Sequence, residues 1–121
     1  MIFNCAEYVG VWLGASKLGI PTALVNCNIT GDALLHCLRK SNSSIIIIED
    51  EIINSKQIDI KLLNDNNIKV IKWSEFKLNI NNVIDIVNAP DKKYRINRTE
   101  RDALLHIYTS GTTGLPKPCI I

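Results

Sequence analysis

The residues best suited to chemistry lie together near the carboxyl end of the chain. Within ten positions the sequence places several hydroxyl side chains, two glycines and a lysine: Tyr108, Thr109, Ser110, Gly111, Thr112, Thr113, Gly114 and Lys117. Glycine allows the backbone to adopt φ > 0 and to approach a ligand closely, so amide N–H groups can line an anion site. The hydroxyl groups add short donors, and the lysine adds a mobile positive charge. This combination favours binding of a nucleotide phosphate.

The loop differs from a Walker A loop at two positions. Counting from Gly111, Lys117 stands where the lysine of that motif belongs, but Pro116 replaces the second glycine and Pro118 replaces the Ser/Thr. The residue before each proline is pushed toward extended geometry, which disfavours a helix here. Residues 103–107 and 119–121 are mostly apolar and predict a strand on each side. A hairpin turn without a ligand is the alternative interpretation.

Alternating helices and strands precede this loop and must position it. The predicted helices cover residues 8–18, 31–40, 54–66 and 82–88, and the predicted strands cover 22–26, 44–48 and 68–73. Gly19 is expected to end the first helix and Thr30 to cap the second. The run of isoleucines at 45–48 predicts a strand buried on both faces. Such alternation predicts an α/β fold with parallel strand pairing and right-handed crossovers.

Composition limits the classes of protein to consider. The chain has 121 residues, 46% hydrophobic and 21% charged, which is typical of a globular protein. Its net charge of +2 gives no electrostatic case for binding nucleic acid. The longest apolar stretch, residues 8–26, is interrupted by Lys17 and Pro21 and does not predict a membrane span. No secretory signal is visible after Met1.

Several other residues attract a functional label, but each has a simpler explanation. Tyr8 and Trp12 lie on the apolar face of the first predicted helix, where core packing is the expected role. His36 is expected to be a partly exposed or hydrogen-bonded helix residue, and His106 a strand residue with a structural hydrogen bond. The four cysteines show no C-x-x-C spacing and are expected to be free and mostly buried: Cys5, Cys27, Cys37 and Cys119.

Residues 108–117 resemble the signature loop of the adenylate-forming (AMP-binding) enzymes, which activate carboxylic acids as acyl-adenylates. Short upstream blocks resemble the fatty acid transport protein / very-long-chain acyl-CoA synthetase branch: residues 4–9, 12–14, 17–19, 23–26, 28 and 33–38. The resemblance covers residues 3–50 and 102–121 well, and 51–101 loosely. It implies that residues 1–121 are an incomplete N-terminal part of an adenylation domain, truncated at both ends. Residues 74–101 are then a polar connecting segment within it.

The resemblance also implies an activity. A fatty carboxylate would attack the α-phosphorus of ATP to give an acyl-adenylate, and coenzyme A would then displace AMP to give the thioester. The substrates would be ATP, a long- or very-long-chain fatty acid and coenzyme A, with Mg²⁺ as the metal. The phosphate-binding set would be residues 108–114 and Lys117, and Thr109 would be the candidate contact to Mg²⁺. No residue is assigned a catalytic role, and the coenzyme A site is expected outside this chain.

The same resemblance sets expectations for the whole protein. A full-length member of the branch is expected to associate with the cytosolic face of the endoplasmic reticulum or of another membrane, whereas this fragment is not. The chain alone is expected to be inactive. His36→Ala is expected to leave adenylation nearly unchanged, since the helix is interpreted as structural. Two alternatives remain: a stand-alone nucleotide- or phosphate-binding module without turnover, and a non-catalytic remnant.

Overall fold

Helices and strands alternate along most of the chain. The structure is a computed structural model that describes residues 1–56, 58–81, 92–110 and 114–121. Their bounds are α1 Ala6–Lys17, β1 Thr22–Leu24, α2 Gly31–Lys40, β2 Ile45–Ile48, α3 Asp50–Ser55, α4 Ile60–Asp65, β3 Lys69–Lys72, α5 Trp73–Asn81, a 3-10 turn Lys92–Arg95, β4 Leu105–Thr109 and β5 Lys117–Ile120. Within those described ranges no helix is both long and apolar enough to cross a membrane.

The described strands form two sheets. In the first, β4 lies between β1 and β5; it runs parallel to β1 and antiparallel to β5. In the second, β2 and β3 pair in parallel. The predicted parallel pairing is therefore confirmed in both sheets, and the hairpin β4–β5 confirms the predicted order of strand, loop and strand.

Helix α2 lies at the centre of the hydrophobic core. Four of its residues are buried: Leu34, Leu35, Cys37 and Leu38. They pack with apolar side chains of the β2–β3 sheet and of the short helices, including Ile46, Ile48, Ile52, Leu63 and Ile68. Burial of each such side chain contributes roughly 1.5–3 kcal/mol relative to exposure. Because α2 packs against several elements at once, it cannot shift without disturbing the hydrophobic core.

The predicted phase of α1 is confirmed. Tyr8, Val11 and Trp12 on its apolar face are half-buried, whereas Glu7 and Lys17 on the opposite face are exposed. The helix ends as its sequence predicts. Gly19 has φ +70°, its N–H donates to the Ser16 carbonyl, and the Ile20 N–H donates to the Ala15 carbonyl. These two bonds form a Schellman motif, which satisfies carbonyls at the end of the helix.

Strand β2 is buried on one face only, which corrects the prediction that it would be buried on both. Ile46 and Ile48 face the core, but Ile45 is 53% exposed and Ile47 is half-buried. Successive strand residues point to opposite faces of a sheet, so Ile45 and Ile47 lie on the second face, which is only partly covered. A run of identical β-branched residues could not reveal that difference.

The helix predicted at 54–66 is two helices, α3 and α4, and this prediction was wrong. Asp59 separates them because its carboxylate accepts a 2.9 Å hydrogen bond from the Leu62 N–H and starts α4 anew. Thr30 takes the extended N-cap conformation before α2, as predicted, but its side chain makes no capping hydrogen bond. The strand predicted at 68–73 ends at Lys72.

Helix α5 begins at Trp73, the last residue of the predicted strand, and continues into the 74–101 segment that the sequence predicts to be a polar connection. The Trp73 ring stacks on Phe76 with centroids 5.6 Å apart, and the next residue, Ser74, donates two hydrogen bonds to Asp50. The helix predicted at 82–88 lies outside the described residues. The four cysteines are free, as predicted, but Cys119 is exposed and only Cys37 is fully buried.

Candidate functional site

The candidate site lies where β1 and β4 end. The two strands are parallel, so their carboxyl ends lie at the same edge of the sheet, and the loops that follow them meet there. In open α/β sheets this edge is the usual place for ligand binding. A cavity of about 280 Å³ lies between the two loops, lined by Leu24, Asn26, Ile29, Tyr108, Thr109, Ser110, Gly114 and Pro116.

The hairpin loop that closes this cavity starts and ends on paired residues. Thr109 lies opposite Lys117 across the β4–β5 ladder, and the Thr109 hydroxyl donates to the Lys117 carbonyl at 3.4 Å. Gly114 has φ +86°, a conformation that L side chains rarely adopt, so the expected need for φ > 0 is confirmed at this position. The other predicted members of the loop, Gly111, Thr112 and Thr113, lie outside the described residues.

Three polar members of the predicted set are available to a ligand at this edge. Thr109, Ser110 and Lys117 are exposed, and the first two line the cavity directly. Hydroxyl and ammonium groups here could donate to phosphate oxygens without losing buried contacts. The structure thus brings the described hydroxyls and the lysine to one end of one hairpin.

Tyr108 has a different position from the other predicted site residues. Its hydroxyl points to α2 and donates a 2.6 Å hydrogen bond to the Cys37 carbonyl. The ring is half-buried, and burial raises the pKa of its hydroxyl above the ordinary value of 10.0. The hydroxyl therefore donates to the protein interior in its neutral form and is not directed to a ligand in the cavity.

His36 contacts the loop, which sequence reasoning missed. Its Nε2 atom lies 3.1 Å from the carbonyl oxygen of Pro116. The prediction of a hydrogen-bonded helix histidine is confirmed, but its partner is in the loop between β4 and β5, 80 residues away along the chain. No local signal in the sequence indicates this contact. His106, by contrast, is only 8% exposed and sits within β4, opposite Ala23 and Ile120.

The described residues do not assemble a metal site. No group of three or more His, Cys, Asp or Glu side chains in the described ranges is placed to hold a metal ion. Mg²⁺ is usually held by one or two carboxylates together with substrate phosphates. The assignment of Thr109 to Mg²⁺ stays a prediction, and no step below depends on it.

Comparison with known proteins identifies the family. The family described as AMP-binding enzyme matches the chain over residues 1–121. The chain belongs to the AMP-binding enzyme family. The predicted membership of the adenylate-forming (AMP-binding) enzymes is thereby confirmed for the chain as a whole. The predicted α/β fold class is confirmed by the helices and parallel strands described above.

Among its relatives are fatty acid transport proteins. Long-chain fatty acid transport protein 2 of Rattus norvegicus is 32% identical over 98% of this chain and 20% of the relative. Long-chain fatty acid transport protein 6 of Homo sapiens is 28% identical over 100% of the chain and 20% of the relative. The very long-chain fatty acid transport protein of Cochliobolus heterostrophus is 31% identical over 98% and 18%. The chain spans about a fifth of the length of these curated relatives.

A solved structure shares the fold of this family member. A Mycobacterium tuberculosis fatty acyl CoA synthetase superimposes with a TM-score of 0.73 at 19% sequence identity. The match covers 98% of this chain and 22% of that one. At this identity the likeness establishes the fold.

Proposed function

We propose that residues 1–121 form the phosphate-binding part of an ATP-dependent long- or very-long-chain fatty acyl-CoA synthetase. The observation that carries the proposal is the β4–β5 loop, whose exposed hydroxyls and Lys117 lie beside a cavity at the carboxyl edge of two parallel strands. Family membership supports ATP as the nucleotide. The names of the fatty acid transport proteins and of the fatty acyl CoA synthetase support a fatty acid as the second substrate.

In this proposal the loop acts by electrostatics. The fatty carboxylate attacks the α-phosphorus of ATP, and pyrophosphate leaves as the acyl-adenylate forms. The Ser110 hydroxyl and the charge of Lys117 hold the β- and γ-phosphates and offset their negative charge as the leaving group separates. The Thr109 hydroxyl joins them by turning away from the Lys117 carbonyl. Fixed donors and charges of this kind stabilise phosphoryl transition states without covalent participation.

Thioester formation belongs to the whole protein. Coenzyme A would displace AMP from the acyl-adenylate, and no residue of this chain is assigned to that step. The relatives are named as transport proteins, which supports membrane association of the whole protein. Its location at the cytosolic face of the endoplasmic reticulum or of another membrane is part of the proposal.

The proposal is tested by ATP–pyrophosphate exchange in a protein that carries residues 1–121 together with the further segments found in its full-length relatives. Lys117→Ala removes a charge-assisted contact to phosphate, worth about 1.5–3 kcal/mol, so exchange should fall by about 10- to 100-fold. Gly114→Val should reduce exchange as well, because a β-branched residue resists φ +86°.

The matched control is Lys61→Ala, which removes an exposed lysine from α4. It should leave exchange within about twofold of the unsubstituted protein, because an exposed substitution away from special contacts changes little. If Lys117→Ala behaves like Lys61→Ala, this loop does not hold the phosphates. ATP binding without any exchange would favour the phosphate-binding module without turnover.

A further inference from the structure

Two hydrogen bonds tie the ends of the hairpin loop to consecutive residues of α2. At the end of β4, the Tyr108 hydroxyl donates to the Cys37 carbonyl at 2.6 Å. At the start of β5, His36 Nε2 lies 3.1 Å from the Pro116 carbonyl oxygen. A carbonyl oxygen can only accept, so Nε2 must carry the hydrogen and donate it. Both arms of the loop are therefore attached to one turn of one helix.

Helix α2 is a rigid support for such attachments. Cys37 is fully buried and Leu38 nearly so, which places the turn containing His36 within the core. The Cys37 carbonyl also accepts from the Ser41 hydroxyl at 3.0 Å. Displacing this turn would open cavities in a close-packed interior, which is costly. The ends of the loop therefore keep a fixed position relative to α2.

The bond to Pro116 acts on the lysine that follows it. The Pro116 carbonyl and the Lys117 N–H belong to one planar peptide unit, so a donor held on the carbonyl fixes the orientation of that plane. The pyrrolidine ring of Pro116 restricts φ on the other side. The backbone from which the Lys117 side chain departs therefore has little freedom left.

We propose that His36 is a positioning residue for the phosphate loop. By donating to the Pro116 carbonyl it sets the backbone at Lys117, and together with the Tyr108–Cys37 bond it fixes the two ends of the loop that would receive the phosphates of ATP. This inference rests on the proposed function. Misplacement of a binding group by about 1 Å can cost a reaction on the order of 100-fold, so a residue that touches no substrate can still matter. This role predicts the opposite of the expectation that His36→Ala leaves adenylation nearly unchanged, and the kinetics below decide between the two.

The first measurement is amide hydrogen exchange in the 121-residue chain, which does not depend on activity. His36→Ala should speed exchange at the amide of Lys117, which pairs with Thr109 across the β4–β5 ladder, by about 3- to 10-fold, since one hydrogen bond contributes about 0.5–1.5 kcal/mol. His36→Gln should retain the slow exchange, because its side-chain amide nitrogen offers a donor near the position of Nε2. Lys40→Ala, an exposed change on the same helix, is the control.

The second measurement is the kinetics of ATP–pyrophosphate exchange in the longer protein described above. His36→Ala should lower kcat/KM for ATP by about tenfold and leave KM for the fatty acid unchanged, because only the phosphate loop is disturbed. His36→Gln should restore most of the loss. If His36 only supported the fold, His36→Ala would impair the use of both ATP and the fatty acid. His36→Gln would then not selectively restore kcat/KM for ATP.

The outcomes separate the two proposals. Unchanged loop exchange in His36→Ala, or a glutamine variant as impaired as the alanine variant, overturns the positioning role. If His36→Ala also loses amide protection along α2, the helix itself is disturbed, and His36→Gln decides the matter. A folded glutamine variant whose loop amides exchange fast rejects the inference. A folded glutamine variant whose loop amides stay protected supports it. If the loop responds as expected but no variant, including the unsubstituted protein, exchanges pyrophosphate, the proposed function fails while the attachment to α2 stands.

Discussion

Helices α1 and α2 both carry apolar residues at helical spacing, yet they occupy very different environments. Helix α1 has twelve residues and none of them is buried, whereas α2 has ten residues and four are buried. The half-buried face of α1 covers an apolar cavity of about 240 Å³ that it shares with β1 and β2. The difference shows that a periodic apolar face identifies a helix without telling how deeply it is buried.

The polar groups near α1 and at the end of α2 also differ, in whether they have hydrogen-bond partners. Around the cavity under α1, the buried Trp12 Nε1 and Thr22 Oγ1 atoms have no hydrogen-bond partner among the described residues. At the end of α2, the Ser41 hydroxyl bonds to two backbone carbonyls of its helix and contacts the Ser43 hydroxyl at 2.7 Å. An unpartnered buried group costs about 1–3 kcal/mol, so the α1 region is the less well satisfied of the two.

The largest expected effect compares the same substitution on the two helices. Leu38 on α2 is 2% exposed, and Leu13 on α1 is 49% exposed. Leu38→Ala should lower the free energy of unfolding by about 2–5 kcal/mol, because it leaves a cavity in the core. Leu13→Ala should change it by no more than about 0.5 kcal/mol. Urea denaturation of both variants measures the difference, and similar losses would mean that the contrast between the helices is wrong.

A second pair of variants compares the unpartnered and the partnered hydroxyl. Thr22→Val replaces the buried hydroxyl by a methyl group of similar shape and should stabilise the protein by up to about 1 kcal/mol. Ser41→Ala removes a hydroxyl that is fully engaged and should destabilise it by about 0.5–1.5 kcal/mol. The two changes in thermal unfolding should therefore have opposite signs. A loss of stability in Thr22→Val would indicate that its hydroxyl is satisfied after all.

The smallest effect concerns Asp50, at the surface end of the β2–β3 sheet that packs on α2. The backbone N–H of Ser74, and then its hydroxyl, donate to this carboxylate and hold the pKa of Asp50 below its ordinary value of 3.8. A lowered folded pKa means that the ionised form stabilises the fold above pH 3.8, and that this contribution is lost as the pH falls through the folded pKa.

Solvent screening limits the size of this contribution to about 1 kcal/mol or less. Stability measured against pH should show a small acid-dependent loss in the unsubstituted protein that Asp50→Asn does not share. Asp65→Asn, on the exposed side of α4, should behave like the unsubstituted protein. If Asp50→Asn follows the same pH profile as the other two, the bonds from Ser74 do not stabilise the fold.

Local spacing along the chain was sufficient for several features. The phase of α1, the Schellman end at Gly19, the hairpin around the 108–117 loop and the family all follow from residues that are neighbours in sequence. The reason is physical: helical periodicity, φ > 0 at glycine and the effect of proline on the preceding residue act over a few positions. The roles of the individual loop residues stay predictions.

Other features depend on contacts that only the tertiary structure brings together. The burial of β2 on one face, the start of α5 beside Asp50 and the bonds from α2 to the loop join residues 24 to 80 positions apart. Such contacts arise when elements pack, and packing depends on the volume and position of every neighbour at once. The sequence alone thus located the hairpin between β4 and β5, whereas packing around α2 decided that His36 contacts its Pro116 carbonyl.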